Sequence, residues 1–533
     1  MYSDIKNPRR WLLSAALAQH AAGSPQSLWL TDSAGASLTF GQAYAHSLRV
    51  AGFFERLGVQ RAGRVGVFLF NSCDFALAWL GLGLAGATTV FLNTELRASF
   101  LRHQLIDSAI TCIVVDAELL SALVEVAQDV PDLRTVIVVG GHGAPPSTAS
   151  SGWRVLAWPD WSQEPDWNGP GPAAQDIACI MYTSGTSGPS KGVLMPHAHC
   201  ALYGIGAIEC LQLSAQDRYY ICLPLFHANG LFMQLGATLL AGIPAFVRRR
   251  FSASNWLADI REHGATVTNL LGATAGFVLG QPATAQDRVH ALRAVLAAPN
   301  LAQHEALFRE RFGVRDVVSA YGMTEVNIPI WGRVGCSVPG AAGWTHEAHF
   351  EVRIADPDTD EPLAAGQMGE IQVRPKAPFG FMAGYFNAPA KTVEAWRNLW
   401  FHTGDAGTMR ADGLLTFVDR IKDCIRRRGE NISAAEVEEV VAGLPGIDEV
   451  AAYAVPSEVP GGEDEVMLAL VVKDGETVDA AEIMRMAASR LPRFANPRYV
   501  KIVQELPKTA TGKVQRAVLR RQGVMDALDV PRR

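Results

Sequence analysis

Apolar residues recur along this chain in two alternating patterns. Short unbroken runs, Val65-Gly66-Val67-Phe68-Leu69, Thr111-Cys112-Ile113-Val114-Val115 and Thr135-Val136-Ile137-Val138-Val139, read as fully buried strands. Segments with helical spacing lie between them. Over residues 1 to about 140 this alternation predicts parallel sheet with helices on its faces. It resumes over residues 194–321, with strands expected at 220–227 and 266–271. Residues 333–416 change character: short strands and turns with many Gly and Pro predict a small β-rich subdomain, with residues 369–374 as one strand. Residues 432–533 predict a compact α+β unit, with helices over 436–442 and 483–491 and strands over 449–455 and 466–472. The expected fold class is α/β: a large N-terminal domain of two α/β sheet subdomains plus the β-rich piece, residues 1–419, then a smaller α+β domain, residues 420–533.

Two apolar stretches invite misreading. Residues 75–92 are uncharged and about long enough to span a bilayer. Gly81, Gly83, Gly86, Thr88 and Thr89 interrupt them, which favours a buried helix to about Leu84 and then a strand from Thr89. Lys6, Arg9 and Arg10 precede an apolar run in the manner of a signal peptide, but the run is short and Gln19 and His20 interrupt the residues beyond it. Trp11, Leu12, Ala15, Ala16 and Leu17 fit one face of an amphipathic helix instead. Residues 140–151 read as a loop. Trp153, Trp158, Trp161 and Trp167 come next in a polar setting and read as packing over an edge.

The chain has 533 residues, 49% hydrophobic and 19% charged, enough for a large core and more than one domain. A net charge of −6 gives no basic excess to favour nucleic acid. The eight cysteines form no C-x-x-C pair and several sit in apolar runs. They read as reduced core thiols of a cytoplasmic protein.

The chemistry centres on one stretch. The strand expected from Ile177 to Tyr182 stops at the small residues Thr183-Ser184-Gly185-Thr186-Ser187, followed by Gly188, Lys191 and Gly192. Glycines permit tight turns and close ligand approach. Successive backbone N–H groups make a concave anion site. With the hydroxyls and the Lys191 charge, the run predicts a cradle for a polyphosphate. It is not a Walker A loop, because Lys191 is followed by Gly192 where that motif needs Ser or Thr.

This run resembles the phosphate loop of the adenylate-forming superfamily, which includes acyl-CoA synthetases, beetle luciferases and the adenylation domains of peptide synthetases. Further motifs fall in that family's order across residues 180–516. Pro224-Leu225-Phe226-His227 is similar to the second motif, in which the aromatic and the His gate the acyl site. His227 stands where amino-acid-activating members carry Asp, which disfavours an α-amino acid substrate. Ala297-Ala298-Pro299 resembles only weakly the small-residue turn beside the nucleotide. Ser319 to Glu325 is a strong match: Tyr321 would offer a flat face to adenine, Gly322 and Met323 close backbone approach, and Thr324 a donor to the α-phosphate. Glu325 would be both a catalytic residue and the hard oxygen ligand for Mg²⁺. Residues 327–331 would line the acyl pocket. Asp405, in Trp400-Phe401-His402-Thr403-Gly404-Asp405, would accept from the ribose hydroxyls, and Arg420 would bind nucleotide. Lys422 would be the hinge of a mobile C-terminal domain. The loop of Arg426, Arg427, Arg428, Gly429, Glu430 and Asn431 would border the pantetheine tunnel, with the arginines either attracting coenzyme A phosphates or forming a solvated face. Lys513, in the run Pro507 to Arg516, falls at the catalytic lysine.

The resemblance implies an ATP-dependent, AMP-forming acyl-CoA synthetase with ATP, Mg²⁺ and coenzyme A as cofactors and co-substrates. Its partners would be a small carboxylic acid and CoA; a homodimer stays open. The expected alternatives are a ligase that loads a carrier-protein thiol, luciferase-type oxygenation and a binding module without catalysis. The chain ends at Arg533 with no appended carrier domain, which favours free CoA. Residues 226–233, 269–275 and 327–331 contain no Asp, Glu, Lys or Arg, which predicts a neutral, largely apolar acid. Residues 321–325 and 462–466 also resemble carnitine/crotonobetaine-CoA ligases, whose cationic substrate could meet Trp331 by cation–π contact.

Overall fold

A computed structural model describes residues 1–140, 152–183, 190–421, 425–427, 430–432, 434–456, 464–491, 495–508 and 512–529. They form two compact units, one of residues 1–183, 190–352 and 373–401, the other of residues 353–372 and 402–529.

The first unit carries two large sheets. In the eight-stranded sheet the order is Gly384–Tyr385, Lys191–Pro196, Ile177–Thr183, Thr88–Phe91, Arg64–Phe68, Cys112–Asp116, Thr135–Val139 and Arg154–Ala157. Neighbours from Ile177–Thr183 onward are parallel, while Lys191–Pro196 and Gly384–Tyr385 add antiparallel. Parallel strands are covered on both faces, so their sequences are continuously apolar. The second sheet runs Asp316–Val318, Ala294–Ala298, Val267–Leu271, Tyr219–Ile221, Ala245–Val247, Leu28–Asp32 and Ser37–Thr39, parallel except for the last pair. The apolar stretch 75–92 divides as expected, into a buried helix Cys73–Leu84 and the strand Thr88–Phe91. Among the described residues no helix is long and apolar enough to cross a membrane. The helix at the N-terminus runs Leu13–Gly23 and buries Leu13, Ala16 and Leu17 rather than Leu12 and Ala15.

One strand ends sooner than its apolar run. Tyr219–Ile221 stops well short of His227 because Asn71 captures the backbone beyond it. Asn71 Nδ2 donates to Leu223 O at 3.0 Å, and Asn71 Oδ1 accepts the Leu225 N–H at 2.8 Å. The tryptophans are packing residues. Trp153, Trp161 and Trp167 are buried, and Trp158 Nε1 donates to Asp74 Oδ1 at 2.8 Å. Trp161 meets Phe53 of helix Phe40–Arg56 edge-on. The described cysteines are free thiols, all buried except Cys336, and burial pushes Cys112 and Cys222 up to about 12.

The second unit has a four-stranded sheet of Ile447–Val455, Glu465–Val472, Tyr499–Ile502 and Leu528–Asp529, packed on helices Ala434–Ala442 and Ala480–Ala488. Ahead of these lies the hairpin of Phe401–Met409 and Leu414–Arg420. The expected elements of residues 432–533 are present within two residues at most boundaries. In residues 333–416 the expected strands also appear, but Gly384–Tyr385 joins the eight-stranded sheet.

Candidate active site

In the first unit, Thr183 ends one strand and Lys191 begins the next. The two are antiparallel register partners and hold residues 184–190 between them. Ser184, Gly185, Thr186, Ser187 and Gly188 lie outside the described residues. Gly192 is required locally: a Cβ there would stand 2.8 Å from Ile180 Cγ2 and 3.3 Å from Phe386 Cβ. Ser190, just before Lys191, is tied by His103 Nε2, which donates to its carbonyl at 2.9 Å.

A second hairpin, Ala320–Met323 with Asn327–Trp331, brings Glu325 to the same place. Its turn needs a left-handed residue, and Asn327 supplies it at φ 67°. Asn327 Nδ2 then donates to His199 O at 2.8 Å. The turn rests on helix His197–Leu211: Tyr203 OH donates to Met323 O at 3.0 Å, and His199 Nε2 donates to Thr324 O at 3.0 Å. Gly322 sits at the hairpin's register shift, where an added Cβ would be 2.1 Å from Asn327 O. Tyr321 is mostly buried, and the Met323 and Thr324 side chains are half-buried.

Glu325 is buried, and two hydroxyls converge on its Oε1: Tyr385 at 3.0 Å and Thr183 at 3.4 Å. Lys191 Nζ stands 4.3 Å from the centroid of the Tyr385 ring. Thr183, Lys191, Glu325 and Tyr385 therefore form one cluster from four separate strands and turns. Sequence reasoning misses Tyr385, because it comes from a two-residue edge strand with no periodicity to mark it.

His227 lies on the turn beyond Tyr219–Ile221, its ring 4.6 Å from that of Phe226. Its side chain is exposed. Desolvation lowers its imidazole to about 4, so it is neutral at physiological pH. The π-helical segment Asn229–Gly236 comes next, a conformation common at functional sites. Beneath it runs a buried polar ladder. Tyr219 OH donates to Asn269 Oδ1 at 2.7 Å, and Asn269 Nδ2 and Gln234 Nε2 both donate to Asn229 Oδ1. Asn269 is thus a support rather than a lining group. Trp331 is buried, and its ring lies where a Cβ on Gly206 would come within 2.6 Å.

In the second unit, Asp405 is buried and opposite Arg420 in the strand register. Its approach is shaped by Gly404, which is left-handed at φ 70°. Glu370 Oε1 accepts the Gly404 N–H at 3.0 Å, and Glu370 Oε2 lies 2.6 Å from His402 Nδ1. Thr403 Oγ1 donates to Ile371 O at 2.6 Å and accepts the Asp405 N–H at 3.1 Å. Thr403 and His402 belong to the same short run as Asp405, whereas Glu370 is a support that this run does not reveal.

Of the arginine loop, Arg428 and Gly429 lie outside the described residues, as does Lys422. Glu430 pairs with Arg427 in a two-stranded hairpin. Arg427 corrects the reading of the three arginines as one coenzyme-facing or solvated group. It is buried, 2.7 Å from Glu465 and donating to Asn496 O at 2.6 Å. Lys513 is exposed, beside the Lys508–Val514 bridge and the Gln515 N–H that donates to Pro507 O at 2.7 Å.

Comparison with known proteins gives the same outline. Residues 17–386 match the AMP-binding enzyme family and residues 436–513 the AMP-binding enzyme C-terminal domain. A crotonobetaine/carnitine–CoA ligase of Salmonella typhi is 30% identical over 475 residues, covering 87% of this chain and 90% of that one. The ATP-bound structure of MatB from Rhodopseudomonas palustris superposes with a TM-score of 0.82 at 25% identity, covering 96% of this chain and 98% of that one. The O-succinylbenzoate coenzyme A synthetase (MenE) from Bacillus subtilis, in complex with AMP, shares the fold: TM-score 0.78, 24% identity, 96% and 98% coverage.

Proposed function

We propose, from the premise that this chain belongs to the AMP-binding enzyme family and is an acyl-CoA synthetase-like, AMP-forming ligase, that it activates a neutral, largely apolar carboxylic acid as its acyl adenylate and passes the acyl group to coenzyme A. The carboxylate attacks the α-phosphorus of ATP and pyrophosphate leaves. The thiol then attacks the acyl carbon, and AMP leaves. The observation that carries the reading is the cluster of Thr183, Lys191, Glu325 and Tyr385 at the base of the loop 184–190.

The difficulty of the first step is bringing two anions together, which positioned cations and donors relieve. Lys191 and the loop hydroxyls would hold the departing pyrophosphate. Glu325, a hard carboxylate held by two hydroxyls, fits Mg²⁺. The ion when bound would neutralise phosphate charge. Tyr321, Gly322, Met323 and Thr324 would seat adenine and the α-phosphate, with Asp405 and Arg420 on the ribose. Lys513 would bridge carboxylate and α-phosphate. A swing of residues 420–533 about Lys422 would then exchange Lys513 for the loop of Arg428, Gly429 and Glu430, where coenzyme A enters. His227 and Phe226 would gate the thiol path and keep water from the mixed anhydride.

The uncharged acyl-lining segments support an apolar acid. The likeness to crotonobetaine/carnitine–CoA ligases supports a second reading, a betaine whose cation meets an aromatic face. Pyrophosphate release and AMP formation over a panel of acids, with CoA or a carrier protein as acceptor, test both. Turnover restricted to charged acids would overturn the first reading, and no AMP with any acid would overturn the reaction.

A further inference from the structure

A cluster outside the reaction machinery carries chemistry of its own. Glu209 lies in the last turn of helix His197–Leu211, while His346 and His349 stand on the turn after strand Gly343–Thr345. One ligand atom from each of the three lies within 4.8 Å of the others. His346 Nε2 is 2.6 Å from Glu209 Oε2. The two imidazoles are edge-to-face, with centroids 4.6 Å apart.

The turn is rigidly held. The N–H groups of His349 and Phe350 both donate to His346 O, at 2.9 and 3.0 Å, and the His346 N–H donates to Pro329 O at 2.8 Å. The Lys376 N–H donates to His349 O at 2.8 Å, and Lys376 Nζ to Glu347 O at 2.8 Å. Trp11 packs edge-on against His349 with centroids 5.3 Å apart. The backbone that carries both histidines is therefore held in place. The Glu209 side chain is 54% exposed, so an ion can reach it and water can complete the coordination.

We infer that Glu209, His346 and His349 form a binding site for a divalent transition metal of the Zn²⁺ class, separate from the nucleotide chemistry. Two imidazoles and one carboxylate suit Zn²⁺, Co²⁺ or Ni²⁺ better than Mg²⁺ or Ca²⁺, which prefer all-oxygen shells. A tetrahedral Zn²⁺ with ligands at about 2.1 Å sets its donors about 3.4 Å apart, so modest side-chain rotation closes this set. An ion pair with Glu209 requires only one histidine; the second, within 4.8 Å of both, supplies the third ligand. The bound ion would tie the end of helix His197–Leu211 to the turn anchored on Asn327–Trp331.

The test uses untagged, chelator-treated full chain without ATP or Mg²⁺, titrated with Zn²⁺ by calorimetry and with Co²⁺ by visible absorption. The expected result is one saturable site, Co²⁺ d–d bands of a four- or five-coordinate ion, and a Zn²⁺-dependent rise in Tm. His346→Gln and His349→Gln should each weaken binding about tenfold or more, a ligand counting for at least as much as an outer-shell partner. Glu209→Gln, at an exposed side chain, should do so without disturbing the fold. Cys336→Ser should bind as the parent does. Absence of a saturable Zn²⁺ signal, unchanged binding in Glu209→Gln, or loss of binding in Cys336→Ser would each overturn the assignment.

Discussion

The Tyr385 hydroxyl donates to Glu325 Oε1 at 3.0 Å across 60 residues of sequence, and Thr183 reaches the same oxygen. A hydrogen bond to a charged group is worth about 1.5–3 kcal/mol. Tyr385→Phe should therefore lower Tm and lower kcat/KM for pyrophosphate release about tenfold or more. Glu325→Gln should lower it further. Unchanged kcat/KM in Tyr385→Phe would mean that this oxygen has no part in holding the nucleotide or its ion.

Lys513 separates the two half-reactions. Lys513→Ala should slow adenylate formation by about 10²-fold or more, the scale for removing one preorganised group. Conversion of supplied acyl-AMP to the thioester should be spared. Equal losses in both assays would remove the exchange of Lys513 for the arginine loop from the scheme.

Glu370 holds the backbone just before Asp405 through the Gly404 N–H, and it faces His402. A buried donor left unpaired costs about 1–3 kcal/mol. Glu370→Ala should lower the unfolding midpoint and raise the KM for ATP more than it lowers kcat. Glu370→Gln, which keeps one acceptor oxygen, should recover most of both. A variant destabilised but normal in ATP KM would show that Glu370 supports the fold alone.

Gly322→Ala places a methyl 2.1 Å from Asn327 O in a hairpin already bulged there. Overpacking of this kind costs about 1–3 kcal/mol. Denaturant melts should show the loss, and activity should fall with it because Glu325 rides on the same turn. Parent-like stability would mean that the hairpin can open without penalty.

His199 is fully buried and burial lowers its pKa to about 4. The folded state thus disfavours the charged form, whereas the unfolded chain titrates near an ordinary imidazole value of about 6.5. Its contribution is complete above that value and is lost as pH falls from about 6.5 toward 4, by on the order of 3 kcal/mol in all. Urea melts at pH 7 and pH 5 should show the decline. His199→Gln should reduce it without abolishing it, because His197 and His227 are lowered in the same range; an identical slope in the variant would assign the decline to other groups.

The runs Val65 to Leu69 and Thr135 to Val139 announced their strands because a strand buried on both faces must be apolar throughout. Asp405 and Lys513 stood out because their neighbours form a recognisable order. Where a run was ambiguous, a distant residue decided: residues 222–227 look like more strand until Asn71 takes the Leu223 and Leu225 backbone. Likewise the three arginines from Arg426 to Arg428 read as one charged face, yet Arg427 turns inward to Glu465.

Sequence alone determined the α/β class, the family and the order of its motifs, because periodicity and local turn chemistry act between near neighbours. Only the tertiary structure decided that Tyr385 joins Thr183 and Lys191 at Glu325, that Glu370 braces Asp405, and that Glu209 meets His346 and His349. Those meetings depend on strand register and on how helices seat against sheets. Such relations are set by packing across long sequence separations, and no local pattern records them.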